Sequence, residues 1–494
     1  MIRAQEGRSI RVETGADVLE PFLSDAAHVP GGFAAGIAFP KNAAEAAPLI
    51  ASARHVLPIG AQSSLTGGAT PRGDIIIGTR ALTEMTRLPA GRVRVGAGVP
   101  LAELQRVLAS DGLWYPPVPT FDGAFVGGTI ATNAAGPATF KYGSARRWVD
   151  ALTVVLANGS IVDLRRGEIT ASPDGWLALE FAGTAARIPV PTYVMPDVAK
   201  LSAGYFARPG MDLIDLFIGS EGTLGFITGA TLRTVPLPKR CVALVPCESD
   251  AQAVRLTAAL RHLDVSAVEF MDARALALVP DDIFTRTSVA RPPGGAVFLL
   301  AQIEATGDGD AAVQELDDVL TACGVEADPH VALPGDDRGA ARLFALREGV
   351  PSSLNALIAA TKARLQQDIE KVAGDVIVPF ERLEESLALY RSTFERHGLE
   401  YAIWGHVSDG NVHPNVVPRS LEDVHRGRTA ILEIARGVMA MGGAPLAEHG
   451  VGRSALKQQM LRDLYGDRGI EEMRAVKRAL DPEWKLAAGV LFPP

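Results

Sequence analysis

The period of the apolar positions changes several times along the chain, and each change predicts an element. Ala43 to Arg54 reads as an Ala-rich helix, His55 to Ile59 as a short strand and Asp74 to Gly78 as a buried strand. Strand and helix go on alternating through Arg92 to Ala97 and Leu101 to Leu108. At Pro236-Leu-Pro-Lys239 glycine thins out and longer helical stretches begin, which places a domain boundary there. Beyond it Asp250 to Leu263, Ala311 to Cys323 and Leu383 to His397 have helical spacing, and Ala296 to Glu304 reads as a strand. The whole is an α+β pattern without an internal repeat, and its second half suits an antiparallel sheet covered by helices.

A chain of 494 residues exceeds what one hydrophobic core usually organises, so two or three domains are expected. With 47% hydrophobic and 21% charged residues, the composition is that of a globular protein and not of a disordered one. The net charge of -9 argues against an extended basic face for nucleic acid or anionic lipid, while leaving room for a local cationic pocket. Cys241, Cys247 and Cys323 show no metal-ligand spacing, so neither an iron-sulfur cluster nor a disulfide framework is implied. Met1 to Thr14 holds no run long enough for a signal segment, and no apolar stretch could span a bilayer. A cytoplasmic protein, or one peripheral to the membrane, is the expectation.

Glycines cluster at 60–68, 123–143, 219–229 and 442–452, where close backbone approach to something is suggested. Pro58-Ile-Gly-Ala-Gln-Ser-Ser-Leu-Thr-Gly-Gly68 leaves a strand with consecutive N–H groups and hydroxyls able to converge on an anion such as a pyrophosphate; a plain glycine-rich turn would look the same. Val95-Gly-Ala-Gly-Val-Pro-Leu101 begins like a dinucleotide fingerprint, but Leu101 occupies the third glycine position, which argues against a nicotinamide-binding Rossmann domain. Phe125-Val-Gly-Gly-Thr-Ile-Ala-Thr-Asn-Ala-Ala-Gly136 and Gly219-Ser-Glu-Gly-Thr-Leu-Gly-Phe-Ile-Thr228 mix small residues with hydroxyl and amide groups, as a flat, partly polar ring and its ribityl chain require.

In this order the three loops resemble the FAD domain of the vanillyl-alcohol oxidase and p-cresol methylhydroxylase superfamily over about residues 30 to 238, which implies two α+β subdomains with FAD between them. The FAD residues so implied are Pro58, Gly60, Ala61, Gln62, Ser63, Ser64, Thr66 and Gly67 in the first loop, and Pro119 and Thr120 ahead of the second. They continue with Gly127, Gly128, Thr132, Asn133, Gly136 and Gly143, then Glu221, Gly222, Gly225 and Ile227, and Asn411 from the second half. Some relatives attach flavin through a His in the first loop; Gln62 stands there in this chain, so non-covalent FAD is expected.

In the second half, Tyr401-Ala-Ile-Trp-Gly-His-Val-Ser-Asp-Gly-Asn-Val-His-Pro-Asn-Val-Val417 carries Asp409-Gly410 between alternating apolar residues, a signal for a two-residue hairpin turn. Such a turn sets His406 opposite His413 and Trp404 opposite Asn415, all on one face, with the His Cβ atoms roughly 5 Å apart. Two imidazoles so placed can bind a transition metal if a third ligand arrives, and Glu448 in Pro445-Leu-Ala-Glu-His-Gly-Val-Gly-Arg453 is the candidate; a solvated His pair and an unrelated Glu-His dipeptide is the bland alternative.

Together, G-H-x-x-D-G-N-x-H and E-H-G resemble the C-terminal domain of the family of D-lactate dehydrogenase, D-2-hydroxyglutarate dehydrogenase and the glycolate oxidase flavoprotein subunit. The resemblance implies His406, His413 and Glu448 as ligands of a divalent metal, Zn or Mn, His449 as a general base, and Asn415 as a substrate contact. Arg347 matches a substrate-binding Arg, ahead of what reads as a proline-broken segment; a surface Arg paired with Glu348 or Glu370 is the alternative. Relatives acting on a dicarboxylic acid carry a Lys where Asp375-Val-Ile-Val-Pro379 is preceded by Ala373, with Lys371 out of step, so a monocarboxylate such as lactate or glycolate is favoured; the D form is what the resemblance to the family implies. Near the C-terminus Ala487-Ala-Gly-Val490 replaces the usual Asn-Pro-Gly-Lys of a tail that, in relatives, returns to the FAD domain.

The activity implied is hydride loss from the α-carbon to flavin N5, with the metal acidifying the hydroxyl and His449 taking its proton. The expected parts are an FAD domain over 1–238, a substrate and metal-binding cap over 239–460 and a returning segment over 461–494. The partners are a small 2-hydroxy acid and an electron acceptor left open between a quinone, a cytochrome and an electron-transfer flavoprotein, with a homodimer allowed. Set against this are an FAD enzyme acting on phenols or sugar lactones, a non-catalytic flavin subunit, and a zinc hydrolase without flavin.

Overall fold

The computed structural model describes residues 10–117, 119–181, 184–366 and 368–493. Residues 1–9, part of the stretch read as lacking a signal run, lie outside them. Near the N-terminus three parallel strands pair in the order Phe33–Ala38, Arg72–Gly78, Val56–Ile59. A parallel pair needs a crossover, and the helix Ala43–Ser52 supplies the first one. Asn42 opens that helix by accepting the Glu45 N–H at 2.9 Å, and the Glu45 carboxylate accepts the Lys41 N–H. The second crossover, between Val56–Ile59 and Arg72–Gly78, is the first glycine-rich loop itself.

Beside it an antiparallel sheet runs Met85–Leu88, Arg92–Gly96, Phe226–Arg233, Val149–Val155, Ile161–Arg165. Its central strand, Phe226–Arg233, comes late in sequence, so the third glycine-rich loop enters the middle of this sheet. The second loop turns into the short helix Val126–Ala131, which is pinned where Arg92–Gly96 ends: Val126 N–H donates to Val99 O and Gly127 N–H to Ala97 O. The three loops therefore face a common space between the two sheets.

After Lys239 the chain builds a six-stranded antiparallel sheet in the order His330–Ala332, Lys239–Cys247, Val297–Ala305, Val265–Met271, Tyr401–His406, Asn411–Val416. Every residue of the last three strands is buried, so the hairpin has no solvated face. The helices Asp250–Leu260, Asp310–Ala322 and Leu383–Arg396 lie where the spacing predicts them. The helix Asp337–Leu365 corrects one expectation: Pro351 does not break the segment after Arg347 but sits inside 29 helical residues. Pro in a helix interior costs about 3 kcal/mol, and burial of Leu343, Leu346, Val350, Leu354 and Ile358 along one face offsets it.

The hairpin register is a second correction. His406 pairs with Asn411, Gly405 with Val412, and Trp404 with His413, a shift of two residues from a two-residue turn. Val407–Asp409 forms a 3-10 turn closed by Gly410 at φ 83. The turn is longer because its side chains are used inside the protein: Ser408 Oγ accepts the Val268 N–H at 3.1 Å, and Asp409 pairs with buried Lys200 at 3.1 Å. An even shift keeps the alternation of faces, so His406 and His413 still share one side as diagonal neighbours. The chain closes on its beginning, since Val56 N–H donates to Lys485 O and Ala487 N–H to Val56 O, both at 2.8 Å. Among the described residues no helix is long and apolar enough to cross a membrane.

Candidate active site

The three glycine-rich loops line a cleft whose empty volume, mouth included, is about 1410 Å³. Pro58, Gly60, Ala61, Gln62, Ser63, Ser64, Pro119, Thr120, Gly127, Gly128, Thr132, Glu221, Gly222, Gly225 and Ile227 all face it. The remaining FAD candidates sit behind its walls. Thr66 is buried with its hydroxyl 2.9 Å from Ser64 Oγ, and Gly67 makes the turn beside it at φ 71. Asn133 accepts the Arg146 N–H and donates to Leu201 O, the Gly136 N–H donates to Thr139 Oγ1, and Gly143 turns at φ 76. Asn411 lies under the hairpin, donating to Val376 O at 2.7 Å. These six shape the loops and not the cleft surface.

A flavin fits this wall on two grounds. A side chain on Gly128 would meet nothing within 4 Å, so the open space there is room for a ligand, and Gly60 lies so close to it that its own Cβ would touch the Gly128 Cα at 3.6 Å. Gln62, at φ 53, spends its amide on Phe22 O (3.0 Å) and Ala69 O (2.9 Å), so it braces the first loop.

At one end the cleft reaches Glu448 and His449. Glu448 Oε1 lies 3.2 Å from His406 Nε2 and 3.4 Å from His413 Nε2, and the three ligand atoms fall within 4.8 Å of one another. The two rings stand 5.6 Å apart at 85°. With His406 1% and His413 7% exposed, the alternative of a solvated His pair is excluded. Two imidazole nitrogens and one carboxylate oxygen, facing one point, form a donor set fitted to a borderline divalent ion with open positions for substrate. Beside them His449 stacks on His413 at 5.3 Å, 30% exposed, with Nδ1 3.4 Å from Asp375 Oδ2.

Residues 237–491, just over half of the chain, match the family described as FAD linked oxidases, C-terminal domain. The chain belongs to the FAD-linked oxidases. Its residues 34–165 match an FAD binding domain, so this oxidase is an FAD enzyme of two-part α+β architecture. Relatives include the D-lactate dehydrogenase of Anaerostipes hadrus, 29% identical over 88% of this chain and 83% of that protein. The glycolate oxidase subunit GlcD of Bacillus subtilis is 27% identical over the same shares, and the D-2-hydroxyglutarate dehydrogenase of Xanthomonas citri is 28% identical over 92% and 89%. Among solved structures, an alkyldihydroxyacetonephosphate synthase shares the fold at a TM-score of 0.60 and 15% identity, covering 92% of this chain and 75% of that one.

Four residues of this oxidase's site escape sequence reasoning. Glu269 faces His406 Nδ1 with one oxygen and accepts Arg347 Nε at 2.8 Å and a terminal guanidinium nitrogen at 2.7 Å with the other. Arg347 therefore pairs with neither Glu348 nor Glu370, because its helix turns it into the cap and not to the surface. Lys200 Nζ, buried, holds Glu448 Oε2 at 2.9 Å. Asp375 Oδ2 accepts the N–H groups of Glu448 (3.0 Å) and His449 (2.7 Å), and Lys457 Nζ lies 4.0 Å away. Asn415, matched to a substrate contact, is buried and donates to His413 O at 2.8 Å. One signal was available: Glu269 is a charged residue in the otherwise uncharged strand Val265–Met271.

The charges settle by pairing. Burial opposes ionisation of His406, but the Glu269 and Glu448 carboxylates outweigh it and hold the ring up to about 9. Burial would raise Glu269 and Glu448, yet His406 with Arg347 and Lys200 with His406, respectively, pull them below the usual carboxylate range. For His449 burial wins over the Asp375 charge and pushes the imidazole down to about 4.

Proposed function

We propose that the enzyme oxidises a small 2-hydroxy acid, D-lactate- or glycolate-like, to the 2-keto acid, using non-covalent FAD and a divalent ion, Zn or Mn, held by His406, His413 and Glu448. The observation that carries this reading is the convergence of those three side chains within 4.8 Å at the end of a flavin-sized cleft that His449 also lines. The activities for which the relatives are named agree with it, since lactate, glycolate and 2-hydroxyglutarate share one reacting group, a hydroxyl beside a carboxylate. On this reading residues 1–238 bind FAD, 239–460 form the cap and 461–494 return to the FAD part.

When bound, FAD supplies the hydride acceptor and the ion a Lewis acid for the substrate hydroxyl. The rest is the work of the chain. Glu269 at His406 Nδ1 leaves Nε2 turned toward Glu448, and Lys200 occupies Glu448 Oε2 so that Oε1 faces the two imidazoles. His449 Nε2 accepts the hydroxyl proton, and the Asp375 carboxylate beside Nδ1 steadies the imidazolium that results. Arg347, aligned by Glu269, takes the substrate carboxylate. Electrons then leave to a quinone, a cytochrome or an electron-transfer flavoprotein.

The test is anaerobic. The purified protein is mixed with D- and L-lactate, glycolate and D-2-hydroxyglutarate, with and without chelator, while the visible flavin band is followed. Bleaching by a D-monocarboxylate that chelator abolishes is expected; an unchanged band with every acid rejects the reading. Faster bleaching by D-2-hydroxyglutarate would overturn the preference for a monocarboxylate.

A further inference from the structure

We propose that Glu221 is a positioning residue that couples the flavin cleft to the metal site: its carboxylate clasps the loop that carries Glu448 and His449. The inference rests on the reading of His406, His413 and Glu448 as metal ligands. Glu221 belongs to the third glycine-rich loop and lines the cleft, yet its side chain is not spent on the cleft. Its backbone is tied to the second loop, at φ 51 with its N–H donating to Ala131 O at 2.7 Å. From that anchor Oε1 accepts the Val451 N–H and Oε2 the Gly452 N–H, both at 2.8 Å. Two successive amides facing one carboxyl group form a nest, and each of its two oxygens accepts one of them.

The clasped loop is shaped for this approach. Gly450 and Gly452 have φ of 76 and 57, and a Cβ on either would lie 2.8 Å from Glu221 Oε1 or 2.2 Å from Thr66 Oγ1, respectively. On its cap side Asp375 holds the Glu448 and His449 amides, and on the other side the Arg453 N–H donates to Thr66 O at 3.1 Å. Residues 448–453 thus hang between the cap and two of the three flavin loops; the Arg453 guanidinium ties them to the first loop at Thr70 O, and Glu221 is the side chain that reaches them from the third. A ligand that orders the glycine-rich loops therefore orders the Glu448 loop, and a metal on Glu448 orders the flavin loops. Such linkage is reciprocal by thermodynamic necessity.

The experiment strips flavin from the full-length protein and titrates FAD back, by flavin fluorescence, with and without Zn²⁺ or Mn²⁺. In the wild type the metal should tighten FAD roughly tenfold, within the usual range of site-to-site coupling. In Glu221→Gln, where an amide donor replaces one acceptor, that ratio should fall to about one while FAD still binds, an outcome that a merely structural role would not give. An undiminished ratio in Glu221→Gln overturns the proposal. Wild-type calorimetry with the metal alone separates the two readings: no metal binding defeats the metal reading and leaves the clasp to be judged by amide exchange. FAD should then slow exchange of the Val451 and Gly452 amides in the wild type, and unaltered exchange overturns the clasp even where the variant does not fold.

Discussion

The two ends of this site are built by opposite means. The flavin cleft is lined by glycines, alanines, hydroxyls and a few apolar rings, and among the described residues that line it only Glu221, Glu448 and His449 carry an acidic or basic group. The end at His406, His413 and Glu448 is a lattice of ionisable groups: Arg347 to Glu269 to His406 to Glu448 to Lys200 to Asp409, with Asp375, His413, His449 and Lys457 alongside. In the cleft the backbone sets the shape, and adding atoms does harm. In the lattice each charge is tolerated underground because a partner answers it, so removing atoms does harm.

The largest expected effect lies in the lattice. His413→Ala should leave the protein yellow and lower kcat/KM roughly a thousandfold, the several kcal/mol that a Lewis acid contributes; retained metal and turnover would break the contrast. Glu269→Ala strands the Arg347 guanidinium and should cost about 3 kcal/mol of stability, read by denaturant unfolding, and a loss under about 1 kcal/mol would show that the pair is not dry. Gly128→Leu is the opposite manipulation. Its helical backbone accepts a side chain, so the fold should survive while FAD binds about 10 to 100 times more weakly, and unchanged FAD affinity would move the flavin elsewhere. Lys200→Met should weaken metal binding about tenfold, with the FAD affinity of the metal-free protein unaltered.

The smallest effect is in pH. Enclosure pushes Glu221 up to about 7 against the pull of the Val451 and Gly452 amides. A carboxyl raised in the folded state binds its proton more tightly there than in the unfolded chain. Its stabilising share is therefore complete below about 4.5 and disappears as pH rises through about 7. The stability of the wild type relative to Glu221→Gln should decline across that window, and a rise would reverse the assignment.

Much of this was legible locally. The strands around Ile59, Ile77 and Val95 and the helices from Ala43, Leu101 and Leu383 show in apolar period, because that signal acts within a few residues. The His406, His413 and Glu448 set shows as spacing around Asp-Gly and Glu-His-Gly. What escaped depended on distance in sequence. Ser408 and Asp409 are drawn inward by Val268 and Lys200, which lengthens the turn and moves the register. Pro351 stays helical because the face around it is buried, and Arg347 and His406 are both answered by Glu269 from another strand.

By itself the sequence determined which segments form strands and helices, where the backbone could come close to a ligand, and that two imidazoles would share one face of a hairpin; each follows from bond geometry and side-chain alternation over a few residues. Only the tertiary structure decided which buried charges meet, that Glu221 turns from the cleft to hold the Glu448 loop, and how far the hairpin slides. Pairing energies between residues a hundred or more positions apart outweigh local turn preference once water is excluded, and no window along the chain contains both partners.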